Sequence, residues 1–449
     1  MKRGSALLWK YRIIVLLIVW LVYIINYFDR LAVLVFLPNI QTDLNLTPVQ
    51  VGYAASVFFF AYAIAQVVSG FLADKFGSKK IMTFSIIVFT AITFLTGTVK
   101  NFTQFIVLRL GLGYGEGHHY TPASRTINHW FPLKERGRAI AFFTGSSAVA
   151  PALAPIILTF LSASFFDGQW RPIFYLLAIP GMIGLFALWY FVSDSPKEML
   201  DKGRLRAEEY EIIVQDSTQE VGDRRKSNRL FLKDAYFYVY AGILFLHCMV
   251  LWGLTSWLTT FLVKQHGMDL KQMGLFASAP YIIAIFSVFL GGWLMDKVFL
   301  RMKPVALISY LGCVPVLWLL GTVEKGNTGI LLTLLLLSGF FVNMNLGSII
   351  ASAQNRYPKE VVGSVVGMVN GIGQMGSFVS PLIAGYLVEV GANGSQYFGK
   401  VFVFFAICAA AAAMLSLFLK EGQIKTDQGA SGKEALPDHL SPMDMAVKQ

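Results

Sequence analysis

Charged residues are scarce in this chain. Only 14% of its 449 residues are Asp, Glu, Lys or Arg, while 55% are hydrophobic and the mean hydropathy is +0.59. Soluble domains usually carry about a quarter charged residues, so this shortage excludes a soluble globular protein. Membrane spans need roughly 20 mostly apolar residues, and the connections between the apolar stretches are too short to hold a soluble catalytic domain.

Cysteine is also rare, and its placement excludes two further classes. Cys248, Cys313 and Cys408 are widely separated, and each falls in an apolar stretch. They provide neither a disulfide framework nor a CxxC-type metal site. Since no nucleophile, metal or cofactor constellation is visible in the sequence, we expect no enzyme, no metal and no cofactor.

Twelve apolar stretches predict an all-α membrane protein with twelve transmembrane helices. They cover residues 12–37, 48–73, 80–98, 104–130, 137–163, 172–193, 236–262, 271–296, 303–322, 328–354, 361–389 and 397–420. The longest polar connection, Ser193 to Asp234, divides them into six and six. We therefore predict a six-helix bundle at 1–193, a cytoplasmic linker at 194–234, a second six-helix bundle at 235–420, and a disordered tail at 421–449.

The net charge of +11 does not indicate nucleic acid, because most of the 37 lysines and arginines lie on one side of the predicted topology. That bias is the positive-inside rule. It predicts a multi-pass protein of the cell inner (plasma) membrane with both termini cytoplasmic, the lipid bilayer as its surroundings and no nucleic-acid partner. The first apolar run is too long for a signal peptide and lacks a cleavage site, so it is a first helix.

Four charges interrupt the apolar stretches of the first half. Asp29 and Arg30 lie in the first stretch, and Arg109 and Glu116 lie in the fourth. A charge at the centre of a membrane helix costs at least ~3 kcal/mol, so it needs a partner. Arg109 and Glu116 share a helix face about 10 Å apart, which is too far for them to pair with each other. Crosswise pairs, Asp29–Arg109 and Arg30–Glu116, would satisfy all four.

A short motif is repeated in the two halves. Gly70–Lys80 reads GFLADKFGSKK after the second stretch, and Gly292–Lys297 reads GWLMDK after the eighth. The first copy resembles the signature loop of the major facilitator superfamily. This resemblance covers about residues 10–420 and implies two six-helix bundles with a cytoplasmic latch between them. We expect the latch, or gate, to include the following cytoplasmic residues: Asp74, Lys79, Lys80, Arg136 and Arg138.

The charged positions resemble one branch of that superfamily. Residues 26–30, Asn-Tyr-Phe-Asp-Arg, are similar to the first-helix motif of the anion:cation symporter family. Its bacterial members include permeases for D-galactonate, hexuronates and glucarate, and its distant animal relatives include sialin and the vesicular glutamate transporters. In the bacterial permeases the fourth helix carries an Arg seven residues before a Glu, as Arg109 and Glu116 stand here. Tyr62 and Asn370 also fall at positions that line the family's cavity.

The resemblance implies proton symport (uptake) of an organic anion by alternating access. Arg30 would bind the substrate carboxylate, because a guanidinium can hold it with two parallel hydrogen bonds. Asp29 and Glu116 would carry protons, and Arg109 would tune Asp29. An anion on Arg30 would weaken its hold on Glu116 and favour protonation. The expected partners of a monomer are a proton and a small organic anion, a sugar acid such as a hexonate, hexuronate or aldarate. The alternative is a static network of charges.

The interiors of the second-half stretches contain no Asp, Glu, Lys or Arg. Their amide and indole groups suit substrate hydroxyls, and the expected substrate-binding residues beside Arg30 are Tyr27, Tyr62, Trp257, Asn370 and Gln374. Weaker candidates in the same stretches are Trp252, Thr255, Ser256, Asn343, Asn345, Ser348 and Ser377. The alternative is that such residues only join helices to one another.

Other interpretations remain open. His118 and His119 follow Glu116 directly; we expect packing or a helix–helix hydrogen bond, and the alternative is an effect on the pH response. The alternating glycines at 111–117 lie inside a span, so they indicate close helix approach and not a phosphate loop.

A drug/proton antiporter is the first rival function, although residues 150–155 lack the glycines of its motif. A non-transporting membrane ligand sensor is the second, although no signalling domain is present.

Overall fold

The computed structural model describes residues 10–215, 229–357 and 359–419, so the predicted tail at 421–449 lies outside the described residues. The helices before the linker are α1 (Tyr11–Val35), α2 (Leu37–Asp43), α3 (Pro48–Phe76), α4 (Ser78–Thr96), α5 (Phe102–Gly117), α6 (Tyr120–Trp130), α7 (Leu133–Phe165) and α8 (Arg171–Phe191). The linker contains α9 (Pro196–Asp201) and α10 (Ala207–Gln215). The later elements are α11 (Ala235–Lys264), α12 (Leu270–Trp293), α13 (Met302–Leu320), α14 (Thr328–Met344), α15 (Leu346–Arg356), α16 (Lys359–Leu387), the antiparallel strands β1 (Glu389–Val390) and β2 (Gln396–Tyr397), and α17 (Gly399–Leu417).

Twelve membrane segments are found among these described residues. Ten helices, counting α14 and α15 as one, are long and apolar enough to cross a bilayer. Two further segments complete the set. One is the fourth, which is split into α5 and α6. The other is α16, which contains the polar residues Asn370 and Gln374. The predicted all-α membrane fold with twelve transmembrane helices is confirmed.

The helices group into two bundles. In the first bundle (α1–α8), α3 packs on α5, α1 on α7 and α8, and α4 on α5 and α8. In the second bundle (α11–α17), α11 packs on α16 and α17, α12 on α14, and α13 on α14 and α17. The main contacts between bundles are α3 with α16 and α7 with α12. The domain boundaries at 193/194 and 234/235 stay a prediction.

The alternating direction of the segments defines two ends of the molecule. The start of α1, the linker helices and the end of α17 lie at one end, called the linker end. Helix α2 and the β1–β2 hairpin lie at the other, called the far end. Several helices that begin at the far end have polar caps: Thr47 and Gln50 form a capping box on α3, and Asn101 and Asp269 cap α5 and α12. These side chains satisfy backbone N–H groups that lipid cannot.

The two bundles touch closely at the far end. A Cβ atom on Gly52 of α3 would lie 2.7 Å from the Pro381 carbonyl oxygen and 3.2 Å from the Gly385 Cα of α16. A Cβ atom on Gly274 of α12 would lie 2.0 Å from Thr159 Oγ1 of α7. These distances leave no room for a side chain, so glycine permits the backbones of the two bundles to approach each other.

The gap between the bundles widens towards the linker end. Residues seven apart on α16 share a face. The surroundings of three such residues, Gly385, Phe378 and Gly371, show how the gap widens. Gly385 makes the close contact just described, and the ring of Phe378 lies 5.4 Å from the ring of Phe60 on α3. A Cβ atom on Gly371 would meet no described atom within 4 Å. On α7, a Cβ atom on Gly145 would likewise meet no described atom within 4 Å. Gly145 lies four turns before Thr159, the α7 residue that contacts α12. The bundles are therefore closed at the far end and separated at the linker end.

The linker helices dock on the first bundle. The Glu209 carboxylate on α10 accepts hydrogen bonds from the backbone N–H groups of Tyr11 (3.0 Å) and Arg12 (3.2 Å). It caps α1, whose own N-cap residue Lys10 offers no side-chain hydrogen bond. Arg12 also pairs with Glu135 of α7 at 3.1 Å. Because a carboxylate at a helix N-terminus is stabilising, the linker supports the start of α1.

Two transmembrane segments are broken. Each of the segments predicted at 104–130 and 328–354 consists of two helices. The fourth segment turns at His118 (φ −85°, ψ 5°), and the tenth turns at Asn345 (φ −98°, ψ 0°). Such angles lie in the bridge region, where the helix cannot continue regularly. The first break places Glu116 in the last turn of α5.

Candidate functional site

Close packing of α5 on α3 brings charged and aromatic residues together. A Cβ atom on Gly113 would lie 2.2 Å from the Phe58 carbonyl oxygen, and one on Gly117 would lie 2.6 Å from the Tyr62 carbonyl oxygen. Cβ atoms on the alternate glycines, Gly111 and Gly115, would lie 2.9 and 2.7 Å from side chains of α4. The prediction that these glycines allow close helix approach is confirmed.

Arg30 of α1 and Glu116 of α5 form a buried ion pair. Arg30 Nε donates to Glu116 Oε2 at 2.9 Å, and the two side chains are 3% and 0% exposed. The predicted Arg30–Glu116 pair is confirmed. Removing one partner from such a pair costs about 3–5 kcal/mol, because the other is left buried and uncompensated. Each partner also has an unused atom, since Arg30 Nη2 and Glu116 Oε1 have no hydrogen-bond partner among the described residues.

Four aromatic rings surround the Arg30 guanidinium. The ring centroids of Tyr62, Tyr27, Phe58 and Trp252 lie 4.6, 4.8, 5.0 and 5.7 Å from Arg30 Cζ. Three of these rings belong to the first bundle and that of Trp252 to the second. Each cation–π contact contributes on the order of 0.5–2 kcal/mol. The rings therefore hold the guanidinium in place, while its Nη2 atom is buried without a hydrogen-bond partner among the described residues.

Trp257 does not join this cluster, and the expectation that it lies at the site is wrong. Its side chain is 2% exposed, and its Nε1–H donates to the Pro381 carbonyl oxygen at 3.1 Å. Trp252 occupies the expected position instead. Residues five apart point about 140° away from each other on a helix, so only one of the two indoles can face Arg30. Both tryptophans lie in the same apolar stretch, and no local sequence signal shows which of them faces Arg30.

The predicted Asp29–Arg109 pair is wrong. Arg109 Nε donates to the Ala54 carbonyl oxygen at 2.9 Å, and Arg109 Cζ lies 4.7 Å from the Phe58 ring centroid. The Asp29 carboxylate is buried, and within the described part of the chain neither of its oxygens has a hydrogen-bond partner. Adjacent helix residues point about 100° apart. Because Arg30 points at Glu116 of α5, its neighbour Asp29 points in a different direction.

The amides predicted on α16 border the gap between the bundles. Asn370 is half-buried and precedes Gly371, which faces open space. Gln374 is also half-buried, and its Oε1 accepts from Ser377 Oγ at 3.3 Å. Among the hydrogen bonds described, none joins either amide to Arg30. Their role in substrate binding stays a prediction.

The predicted gate residues lie at the linker end, and their described pairs stay within the first bundle. Asp74 of α3 accepts from Arg125 of α6. Lys79 Nζ donates at 2.7 Å to a backbone carbonyl of α8, while Lys80 and Arg138 are exposed. None of these described pairs bridges the bundles, because the bundles are separated at this end. The gating role stays a prediction.

The two histidines at the break of the fourth segment make packing contacts. His118 Nδ1 lies 2.8 Å from the carbonyl oxygen of Tyr114 in its own helix. His119 is fully buried and stacks on Tyr23 of α1, with ring centroids 5.8 Å apart. These contacts agree with the packing interpretation. An effect of either histidine on the pH response stays a prediction.

The cluster as a whole is suited to receive an anion. Two guanidinium groups, those of Arg30 and Arg109, lie against the single ring of Phe58. Among their nitrogens, Arg30 Nη2 and both Nη atoms of Arg109 are buried without a partner in the described residues. Charges interact more strongly in such surroundings than in water. Guanidinium nitrogens donate best to carboxylate or similar oxygens. In the described cluster, Glu116 Oε2 supplies such an oxygen to Arg30 Nε, and the three nitrogens just named have none.

Twelve membrane segments in two bundles, a buried charged cluster and a gap that opens at one end define a membrane transporter. Comparison with protein families agrees with this class. The chain belongs to the Major Facilitator Superfamily, whose family model matches residues 19–381 and 302–443.

Two similar proteins are probable transporters of organic anions. The probable galactarate/D-glucarate transporter GarP of Escherichia coli (strain K12) is 30% identical over 443 residues, which cover 92% of this chain and 95% of the relative. The probable sulfoacetate transporter SauU of Cupriavidus necator (strain H16) is 30% identical over 393 residues, covering 85% and 88%. These relatives confirm the resemblance to sugar-acid permeases.

A solved structure supports the fold. A bacterial homolog of the human lysosomal transporter Spinster, in an inward-facing and unoccupied conformation, matches with a TM-score of 0.73 at 19% identity. The match covers 92% of this chain and 97% of that one.

Proposed function

We propose that this protein is a proton-coupled symporter that takes up an organic anion of the sugar-acid class by alternating access. The observation that carries the proposal is the buried Arg30–Glu116 pair, whose Nη2 and Oε1 atoms are unused by the described residues. It lies at the boundary between the closed far end and the gap. One turn further along α1, the Leu34 carbonyl oxygen accepts from Thr259 Oγ1 of the second bundle at 2.5 Å. The similarity to a probable galactarate/D-glucarate transporter supports the choice of substrate class.

The coupling follows from competition for one guanidinium. A substrate carboxylate that binds Arg30 Nη2 draws the Arg30 charge away from Glu116. In a low-dielectric site, a carboxylate with less compensating charge takes up a proton. Once Glu116 is neutral, Arg30 can hold the substrate with two parallel hydrogen bonds. Proton and anion are therefore favoured together. Asp29, whose oxygens have no partner among the described residues, is the second proton carrier in this scheme.

The proposal also includes an orientation. Most of the basic residues lie at the linker end, which supports a cytoplasmic location for that end and for both termini of an inner-membrane protein. The gap then faces the cytoplasm. The gate residues Asp74, Lys79, Lys80 and Arg138 would act when this end closes, and a monomer is sufficient for the cycle.

The test is uptake into proteoliposomes with an imposed proton gradient. The panel contains galactarate, glucarate, a hexuronate, a hexonate and sulfoacetate, with and without a protonophore. Uptake of one acid that stops with the protonophore supports proton symport. In the matched variant Glu116→Gln we expect gradient-driven uptake to be lost while exchange between external and internal substrate continues. No uptake of any acid, together with extrusion of a lipophilic cation, would instead indicate a drug/proton antiporter.

A further inference from the structure

Trp252 is the contribution of the second bundle to the Arg30 cluster. Its ring centroid lies 5.7 Å from Arg30 Cζ and 4.8 Å from the ring centroid of Phe59 on α3. The other rings around Arg30 belong to the first bundle. Trp252 is also half-buried, whereas Tyr27 and Tyr62 are at most 8% exposed. Part of the Trp252 residue is therefore not covered by protein.

Helix geometry places Trp252 on the open side of Arg30. The contact between Thr259 and Leu34 joins α11 to α1, and both helices run from the linker end to the far end. Trp252 lies seven residues before Thr259, and Arg30 lies four residues before Leu34. At 1.5 Å per residue, the Trp252 backbone is about 4.5 Å nearer the linker end. A molecule whose carboxylate reaches Arg30 from the gap must therefore extend past Trp252.

We propose that Trp252 is a specificity-determining residue that stacks on the carbon chain of the bound anion while Arg30 holds the carboxylate. The inference rests on the proposed function and adds the second half of the binding site to it. An indole face packs well against the C–H groups of an extended chain through dispersion contacts, and it is large and rigid. A two-carbon anion bound at Arg30 is too short to cover the indole. Trp252 therefore selects for chain length beyond the ionised group.

The experiment compares transport of galactarate, a six-carbon acid, with that of sulfoacetate, a two-carbon acid. The variants are Trp252→Ala, Trp252→Phe and the matched control Trp257→Phe, five residues along the same helix. We expect Trp252→Ala to raise KM for galactarate on the order of tenfold and KM for sulfoacetate by less than about twofold. Trp252→Phe should fall between wild type and Trp252→Ala. Trp257→Phe should leave the ratio of the two KM values unchanged and lower the melting temperature.

The outcomes separate this inference from the function on which it rests. If wild type transports both acids and the KM ratio is the same in all variants, the role of Trp252 is wrong and the proposed function stands. The role is equally wrong if Trp252→Ala and Trp252→Phe lower kcat to the same extent for both acids, because that indicates a purely structural contribution. If wild type transports no acid of either length, the proposed function fails and this inference fails with it.

Discussion

The far end and the linker end of the molecule differ in how closely the same helices approach each other. On α16, Gly385 touches the backbone of α3, whereas Gly371, two turns away from Phe378 on the same face, meets no described atom within 4 Å. Both residues are glycines on one helix. The difference therefore lies in the tilt of one bundle against the other and not in residue type.

The closed end is held by contacts that can be undone. Apart from the glycine approaches, it includes the Thr259–Leu34 hydrogen bond at 2.5 Å and a hydrogen bond from Lys264 Nζ to Thr42 Oγ1 at 2.7 Å. A hydrogen bond of this kind contributes a net 0.5–1.5 kcal/mol or so. The far end also contains buried apolar residues of both bundles in one hydrophobic cluster, among them Leu158 of α7 and Met273 of α12. Opening this end during a transport cycle therefore separates apolar as well as polar contacts.

The largest effect is expected where the two regions meet. Arg30→Lys replaces the guanidinium by an ammonium, which has a single nitrogen. That nitrogen cannot pair with Glu116 while a second one is presented to a carboxylate. We expect uptake to fall at least about 100-fold, since breaking a buried pair costs several kcal/mol. The measurement is initial uptake rate in proteoliposomes. Arg171→Lys, in a half-exposed pair at the far end, is the control and should remain active. Normal transport by Arg30→Lys would show that Arg30 does not bind the anion.

The close packing at Gly52 allows the difference between the two ends to be tested directly. Gly52→Val introduces a side chain 2.7 Å from the Pro381 carbonyl oxygen, and overpacking of this kind costs about 1–3 kcal/mol. We expect the far end to open. Gly371→Val, placed where no described atom lies within 4 Å, is the matched control and should leave the conformation unchanged.

The measurement is the distance between spin labels on exposed residues of the two bundles at the far end, Thr98→Cys and Val390→Cys. Gly52→Val should shift the distribution to longer distances, and Gly371→Val should not. An identical distribution in both variants would mean that close packing at Gly52 does not keep the far end closed.

A smaller effect is expected from the hydrogen bond between the bundles. Thr259→Val removes the donor to the Leu34 carbonyl oxygen and keeps the shape of the side chain. We expect the population of the open far end to rise by a factor of about 2–10, which corresponds to 0.5–1.5 kcal/mol. The same spin labels report it. Thr333→Val, whose hydroxyl bonds the Gly329 carbonyl oxygen of its own helix, should have no effect on the distribution.

The smallest effect concerns the linker end. Glu209→Ala removes the cap of α1 and should lower stability by about 0.5–2 kcal/mol, seen as a lower melting temperature of the purified protein. The neighbouring exposed residue provides the control, Glu208→Ala, with little change expected. Equal melting temperatures for the two variants would mean that docking of the linker does not stabilise α1.

Much of the fold and part of the site could be predicted from the sequence. Long apolar stretches must become membrane helices, because lipid offers no hydrogen bonds to the backbone. The cost of a buried charge likewise predicts that Arg30 and Glu116 find each other. The partner of Arg109 could not be predicted, because a backbone carbonyl such as that of Ala54 is present at every residue and leaves no mark in the sequence.

The sequence by itself determined the number of membrane segments, the superfamily and the presence of an acid–base cluster in the first half. These follow from local composition and from the high cost of charge in lipid. Only the tertiary structure decided that Trp252 and not Trp257 faces Arg30, that Asp29 does not pair with Arg109, and that the bundles close at one end. Those facts depend on how helices rotate and tilt against each other, and that is set by contacts between residues far apart in the chain.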